Sequence, residues 1–198
     1  VGTRDEIYEK ALSPYLNESD TVIDYGCGPG FVAAAVSPFV KKIFALDISD
    51  GALACGKILN DRDNVEFVNA RDADDSIPTG GIDAVYSYAV VQHMTDNVFR
   101  SMLQNCGKYL APGGRLILHV QLPDETWKTE TEWRRDNSAK GKLKFKYGLH
   151  CFGRTEETFR EMLSEKGFDI IEIKEMEVLF GRSDGELASQ RLIAAIKR

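Results

Sequence analysis

The sequence predicts an α/β fold in which a mostly parallel sheet carries helices on both faces. Three observations lead there. Short apolar runs rich in β-branched residues alternate with helical stretches, each run is bounded by Gly, Pro, Asp or Asn, and the first run enters a glycine-rich turn that opens a helix. Steady strand-helix-strand alternation is the pattern of parallel strands joined by helical crossovers, which bury both faces of the sheet.

Taken in order, residues 3–16 form an opening helix and Thr21 to Tyr25 the first strand, followed by a short helix over 31–37. Lys42 to Asp47, Val65 to Asn69 and Ile82 to Ser87 read as buried strands, with helices over 50–60 and 96–110 between or after them. Pro112-Gly113-Gly114 stops the last of these and turns the chain into a fifth strand, Arg115 to Val120. From Gln121 to Arg154 the alternation breaks into a polar stretch holding Trp127, Trp133 and several basic residues, longer than an ordinary connection, and it reads as an insertion or lid. Within it, Lys142 to His150 alternates basic and apolar residues, the period of a strand with one wet face. Such a strand is either a solvated edge or, with Arg134 and Arg135, an attractor for an anionic acceptor. Thr155 then has the position of an N-cap, with Glu156 and Glu157 in the first turn and Gly167 closing the helix. Phe168 to Met176 and Arg191 to Lys197 complete the strands, and residues 1–198 read as one domain with the lid at 121–154.

Composition narrows the function classes. The 198 residues are 43% hydrophobic and 28% charged, which is ordinary for a globular domain, and no apolar stretch is long enough to span a bilayer. A net charge of -6 argues against general affinity for nucleic-acid phosphates. Cys27, Cys55, Cys106 and Cys151 lie far apart with no histidine at metal-ligand spacing, so no metal site is expected. They read as reduced thiols of a cytoplasmic protein.

The chemistry-bearing segment is Asp24-Tyr25-Gly26-Cys27-Gly28-Pro29-Gly30, a buried strand running into a tight turn where glycines admit positive φ and let a ligand approach the backbone. A turn of this kind lies at the carboxyl edge of a parallel sheet, where adenine-containing cofactors bind. A dinucleotide fingerprint would want its third glycine at residue 31, which is Phe31. Asp47, ending the second strand, can accept hydrogen bonds from both hydroxyls of a ribose. Asp72 with Ala73, after the third strand, suits the amine and ring nitrogen of adenine, and Ile48 could cover the ring face. For Asp47 and Asp72 the plainer alternative is a solvated residue at a strand end.

Four blocks together resemble the class I S-adenosylmethionine-dependent methyltransferases, in particular those acting on small molecules. They are the glycine turn, Leu46-Asp47-Ile48-Ser49, the stretch Ile82 to Met94, and Leu110-Ala111-Pro112-Gly113-Gly114-Arg115-Leu116. The resemblance implies a Rossmann-like three-layer sandwich, a seven-stranded sheet with one antiparallel strand, and S-adenosylmethionine as cofactor, leaving as S-adenosylhomocysteine. It also implies that Asp24, Gly26, Cys27, Gly28 and Gly30 face the methionine part, Asp47 the ribose, and Asp72 with Ala73 the adenine. Tyr88 falls beside the methionine amino group.

Methyl transfer from a sulfonium is an in-line displacement, so the protein's main task is to align donor and acceptor. A base is needed only where the attacking atom must lose a proton. His93, in the loop after the fourth strand, is the candidate, the alternative being a packing histidine at a helix start. An Asn or Asp followed by Pro-Pro and an aromatic, expected for methylation of nucleobase or glutamine amino groups, is absent, the sequence being Ser87-Tyr88-Ala89-Val90. The expected activity is methyl transfer to a small-molecule acceptor. The alternatives are a nicotinamide-dependent oxidoreductase and a non-catalytic module that binds S-adenosylmethionine.

Overall fold

A computed structural model describes residues 3–123, 127–146, 150–182, 185 and 187–198. The chain opens with a helical run in which α1, Arg4–Glu6, continues through a wider turn, Ile7–Leu12, into a tight one, Ser13–Tyr15. Thr3 caps it in a reciprocal box with Glu6, and Ser13-Pro14 ends it, since proline cannot continue a helix.

The sheet strands are β1 Thr21–Tyr25, β2 Lys42–Asp47, β3 Val65–Asn69, β4 Ile82–Ser87, β5 Leu110–Gln121, β6 Phe168–Glu175 and β7 Gln190–Lys197. Their order is β3-β2-β1-β4-β5-β7-β6; β7 runs antiparallel to both β5 and β6, and the other pairings are parallel. The first four strands have the bounds read from the sequence; β1, β2 and β4 are runs buried on both faces, whereas β3, at the sheet edge, buries only Val68 fully.

Helices α2 Phe31–Val36, α3 Asp50–Leu59, α4 Ala73–Ser76, α5 Asp96–Tyr109, α6 Glu130–Arg135, α7 Ala139–Lys146, α8 Glu156–Glu165 and α9 Met176–Phe180 follow in chain order. Ser49, Thr95 and Thr155 cap α3, α5 and α8, each hydroxyl accepting an amide of the first turn.

Alternation along the strands divides the core into two layers. Ile23, Phe44, Leu46 and Val85 pack with Phe99, Leu103 and Cys106 of α5 and Phe159 of α8 on one face. Val22, Ile43, Ala45 and Tyr86 pack with Leu12, Val36 and Phe180 on the other. Burying each large apolar side chain contributes about 1.5–3 kcal/mol, so neighbouring residues such as Val22 and Ile23 fix the register by facing opposite layers.

Three expectations are corrected. Lys142 to His150 is not a strand: α7 covers Ala139–Lys146, and residues 147–149 lie outside the described residues. Lysines at every second position satisfy a strand period locally, but Ser138 caps a helix there by accepting the Gly141 amide at 3.0 Å. Pro112-Gly113-Gly114 is not a turn before β5 but a bulge inside it, since Ile82 pairs with Leu110 and Ala84 with Arg115 while the residues between loop outward. The short helices α6 and α9, absent from the sequence reading, occupy the lid and the β6–β7 connection.

Candidate cofactor and methyl-transfer site

At the carboxyl ends of β1, β2 and β4 the turn after β1 is stitched to β2. The amides of Gly26 and Cys27 donate to the Leu46 carbonyl, each at 2.8 Å. Asp47 then binds both sides: Gly28 N donates to Oδ2 at 2.8 Å and Ser49 N to Oδ1 at 2.9 Å. Each carboxylate oxygen retains acceptor capacity, so both can take a ligand hydroxyl as well.

The glycines of the turn do different work. Gly28 has φ +54° and open space where a side chain would project, so backbone conformation rather than packing favours glycine there. Gly30 has φ +74°, and a Cβ there would meet the Phe67 ring at 2.6 Å. It therefore serves the packing of α2 against β3, and its own amide is held by the Cys27 carbonyl at 2.9 Å. At Gly26 a Cβ would strike Val90, so the loop after β4 lies directly over the turn.

Beneath the turn, Asp24 is buried at 2% exposure with its Oδ2 unpartnered. Burial pushes its carboxyl up to about 7; the Tyr86 hydroxyl and the Ala33 amide in the first turn of α2 partly offset this, and Asp47 adds to it. The Tyr86 hydroxyl, equally buried, lacks a hydrogen bond of standard geometry. Burial, then Asp24 and Asp47, push the Cys27 thiol well up, which disfavours the thiolate.

Past β4, the backbone of Ala89 is held at φ +60°, a strained value for alanine. Its amide donates to His119 Nδ1 at 3.2 Å, and the proton on Nε2 therefore goes to Gln190 Oε1 at 2.8 Å. Burial brings His119 down to about 4, so the ring is neutral and can accept from Ala89. Tyr88 stacks on this imidazole at 4.3 Å, its hydroxyl buried and unpartnered and pushed up to about 12 by burial.

A cleft of about 400 Å³ opens over these strand ends, and Gly26, Asp47, Ile48, Ala70 and His93 are among its lining. Its far wall is the Val98, Ser101, Met102 and Asn105 stripe of α5. The cleft has the size of a nucleoside-bearing ligand, with a carboxylate for ribose hydroxyls and apolar walls for a base. Orphaned Asp24 Oδ2 offers a counter-charge for an ammonium group under the turn. The residues present thus fit S-adenosylmethionine.

His93 sits on the rim, exposed, its Nδ1 3.0 Å from the His150 carbonyl and 3.8 Å from Cys151 Sγ. A carbonyl only accepts, so this bond puts the proton on Nδ1 and leaves the Nε2 lone pair free. The lid's end is fastened to the same loop: Phe152 N donates to the Gln92 carbonyl at 2.8 Å. Arg154, 3% exposed, donates to Asp96 Oδ1 at 2.7 Å, to the Val91 carbonyl at 3.2 Å and to the Met94 carbonyl.

Gly26, Asp47, Ile48 and His93 therefore share one cleft, whereas Asp24, Cys27, Gly28 and Tyr88 lie below or beside it. Asp72 and Ala73 do not line it. Asp72 lines a separate groove with Asp50 and Lys57, Ala73 is core, and Ala70 is the residue after β3 that lines the cleft. The α5 stripe was missed by sequence reading, although its spacing of three and four residues is visible as one helical face that shares only Met102 with the core. Arg154 gave no sequence signal, because nothing local distinguishes a buried arginine from a solvated one. Among the described residues no cluster of His, Cys, Asp and Glu could hold a metal ion, and no helix is long and apolar enough to cross a membrane.

Residues 4–173 match the family model described as a methyltransferase domain. A probable S-adenosylmethionine-dependent methyltransferase of Mycobacterium tuberculosis is 24% identical over 115 residues, covering 58% of this chain and 40% of that protein. The ribosomal protein L11 methyltransferase of Neisseria gonorrhoeae is 31% identical over 125 residues, 59% of this chain and 37% of that protein. The chain thus spans about 40% of the length of these relatives. An S-adenosylmethionine-dependent methyltransferase from Mesorhizobium loti has the same fold, with a TM-score of 0.70 at 18% identity over 97% of this chain and 98% of that one. The nicotinamide alternative falls with the family match, as Phe31 in place of a third glycine already argued. The chain belongs to the methyltransferase-domain family, among the class I S-adenosylmethionine-dependent methyltransferases.

Proposed function

We propose that this chain transfers the methyl group of S-adenosylmethionine to a small-molecule acceptor at the rim of the cleft, with His93 as the base where the acceptor must lose a proton. The observation that carries this reading is the joint placement of Asp47 and His93 on one cleft over the strand ends. S-adenosylmethionine supplies an electrophilic methyl on a sulfonium. Asp47 orients the ribose, the open backbone at Gly28 admits the methionine part, and Ile48 with the α5 stripe excludes water from the base. His93 Nε2, freed by the His150 carbonyl, takes a proton from the acceptor. Support for a small acceptor comes from the lid: its two ends meet where Lys128 pairs with Phe152, and its exit is tied to the loop bearing His93, which walls the approach.

The test is incubation with methyl-labelled cofactor and fractionated extract from the source cell. Label is expected in the low-molecular-mass fraction. Label confined to protein or nucleic acid would overturn the small-acceptor reading.

A further inference from the structure

The lid holds a second cavity, of about 320 Å³, apart from the cofactor cleft. Its lining carries three ammonium groups, Lys128, Lys140 and Lys144, against one carboxylate, Asp136. This is a local reversal of the chain's net charge of -6. The carboxylate is already engaged. Lys128 Nζ lies 2.6 Å from Asp136 Oδ2, Ser138 N donates to Oδ1 at 2.9 Å, and the lysine beside it, then Ser138, holds the carboxyl well below the usual range.

That leaves Lys140 and Lys144. They stand four residues apart on α7, on one helical face, and neither has an acidic partner among the described residues. Like charges at this spacing oppose helix formation, so the pair is an arrangement that a bound anion would relieve. Gly141 lets the helix lie close, since any Cβ there would strike the Asp136 carboxyl. The floor is Trp133, 7% exposed, with the Lys128 and Lys144 ammonium groups 5.1 and 5.6 Å from ring centroids.

The cavity is linked through the segment after it to His93. Trp133 Nε1 donates to the Cys151 carbonyl at 2.8 Å, and Cys151 Sγ lies 3.8 Å from His93 Nδ1. Gly153 N bonds the Lys128 carbonyl at 3.4 Å, which ties the lid's entry to the same segment. Arg134 and Arg135 are not part of this lining, and Arg134 is paired with Glu130 at 2.6 Å.

We propose that this cavity is an anion subsite that takes a phosphate-class group of the acceptor, Lys140 and Lys144 being its principal ligands. The proposal rests on the small-molecule reading given above. Its test begins with binding, which needs no turnover. In a Trp127→Phe background, where Trp133 alone reports, pyrophosphate and inorganic phosphate are titrated at constant ionic strength. A saturable change in emission is expected for at least one of them. Lys140→Met/Lys144→Met should weaken it at least tenfold, with S-adenosylhomocysteine binding by calorimetry unchanged, and Lys140→Arg/Lys144→Arg should restore it. No saturable change in the parent, or equal affinity in the Met variant, would overturn the subsite. In the labelling experiment the methylated product should be retained on an anion exchanger, and a product without an anionic group would overturn its use by the acceptor. Saturable binding with no labelled small molecule would support the anion site while sinking the small-acceptor reading, so the two failures are distinct.

Discussion

The Asp47 carboxylate accepts the Gly28 amide at 2.8 Å, which makes the acidic end of β2 and the glycine turn of β1 a single unit. Asp47→Ala should therefore cost more than a ligand contact, because the turn also loses its anchor. S-adenosylhomocysteine affinity measured by calorimetry is expected to fall at least tenfold, about 1.4 kcal/mol or more. Unchanged affinity would mean that the ribose is not held there.

Gly28 and Gly30 should separate binding from folding. Both have positive φ, so alanine at either costs about 1–2 kcal/mol in backbone strain. Gly30→Ala adds a clash with the Phe67 ring, so its melting temperature should fall further and recover in part in Gly30→Ala/Phe67→Leu. Gly28→Ala should melt closer to the parent yet lose more cofactor affinity, and equal losses of affinity in the two variants would contradict this division.

Asp24 and His119 give stability opposite dependences on pH. Asp24 is raised from 3.8 to about 7, so its contribution is full below pH 4 and is lost as pH rises towards 7, on the order of 4 kcal/mol. His119 is lowered from 6.5 to about 4, so its contribution is full above 6.5 and is lost as pH falls towards 4, on the order of 3 kcal/mol. Denaturant unfolding from pH 4 to 7 should show Asp24→Asn gaining stability with pH relative to the parent, and His119→Gln losing it. Parallel curves for all three proteins would refute both assignments.

His93→Ala should lower turnover while leaving S-adenosylhomocysteine affinity unchanged, since His93 stands at the rim. Arg154→Met removes the donor to the Met94 carbonyl and the partner of Asp96, while the Val91 carbonyl keeps the Met94 amide, and it is expected to cost about 1–3 kcal/mol of stability. Its turnover should fall with that of His93→Ala, while Arg154→Lys recovers part of both. Full activity in a folded Arg154→Met would show that the loop does not depend on this clamp.

The sequence by itself determined the sheet's first four strands and the caps at Thr155 and Gly167, and it singled out Asp47 and His93 as candidates. It could do so because each of these is written in local chemistry: a short apolar run, a cap or a glycine turn depends on neighbours in the chain. Tertiary structure alone decided that Gly30 packs against Phe67 and that Ala70 rather than Asp72 lines the cleft. It alone decided that Lys140 and Lys144 lie on a helix over Trp133, and that Arg154, far along the chain, holds the loop of His93. Those outcomes depend on which distant surfaces meet when two core layers close on one sheet, and lysine alternation or a lone arginine carries no mark of its eventual partner.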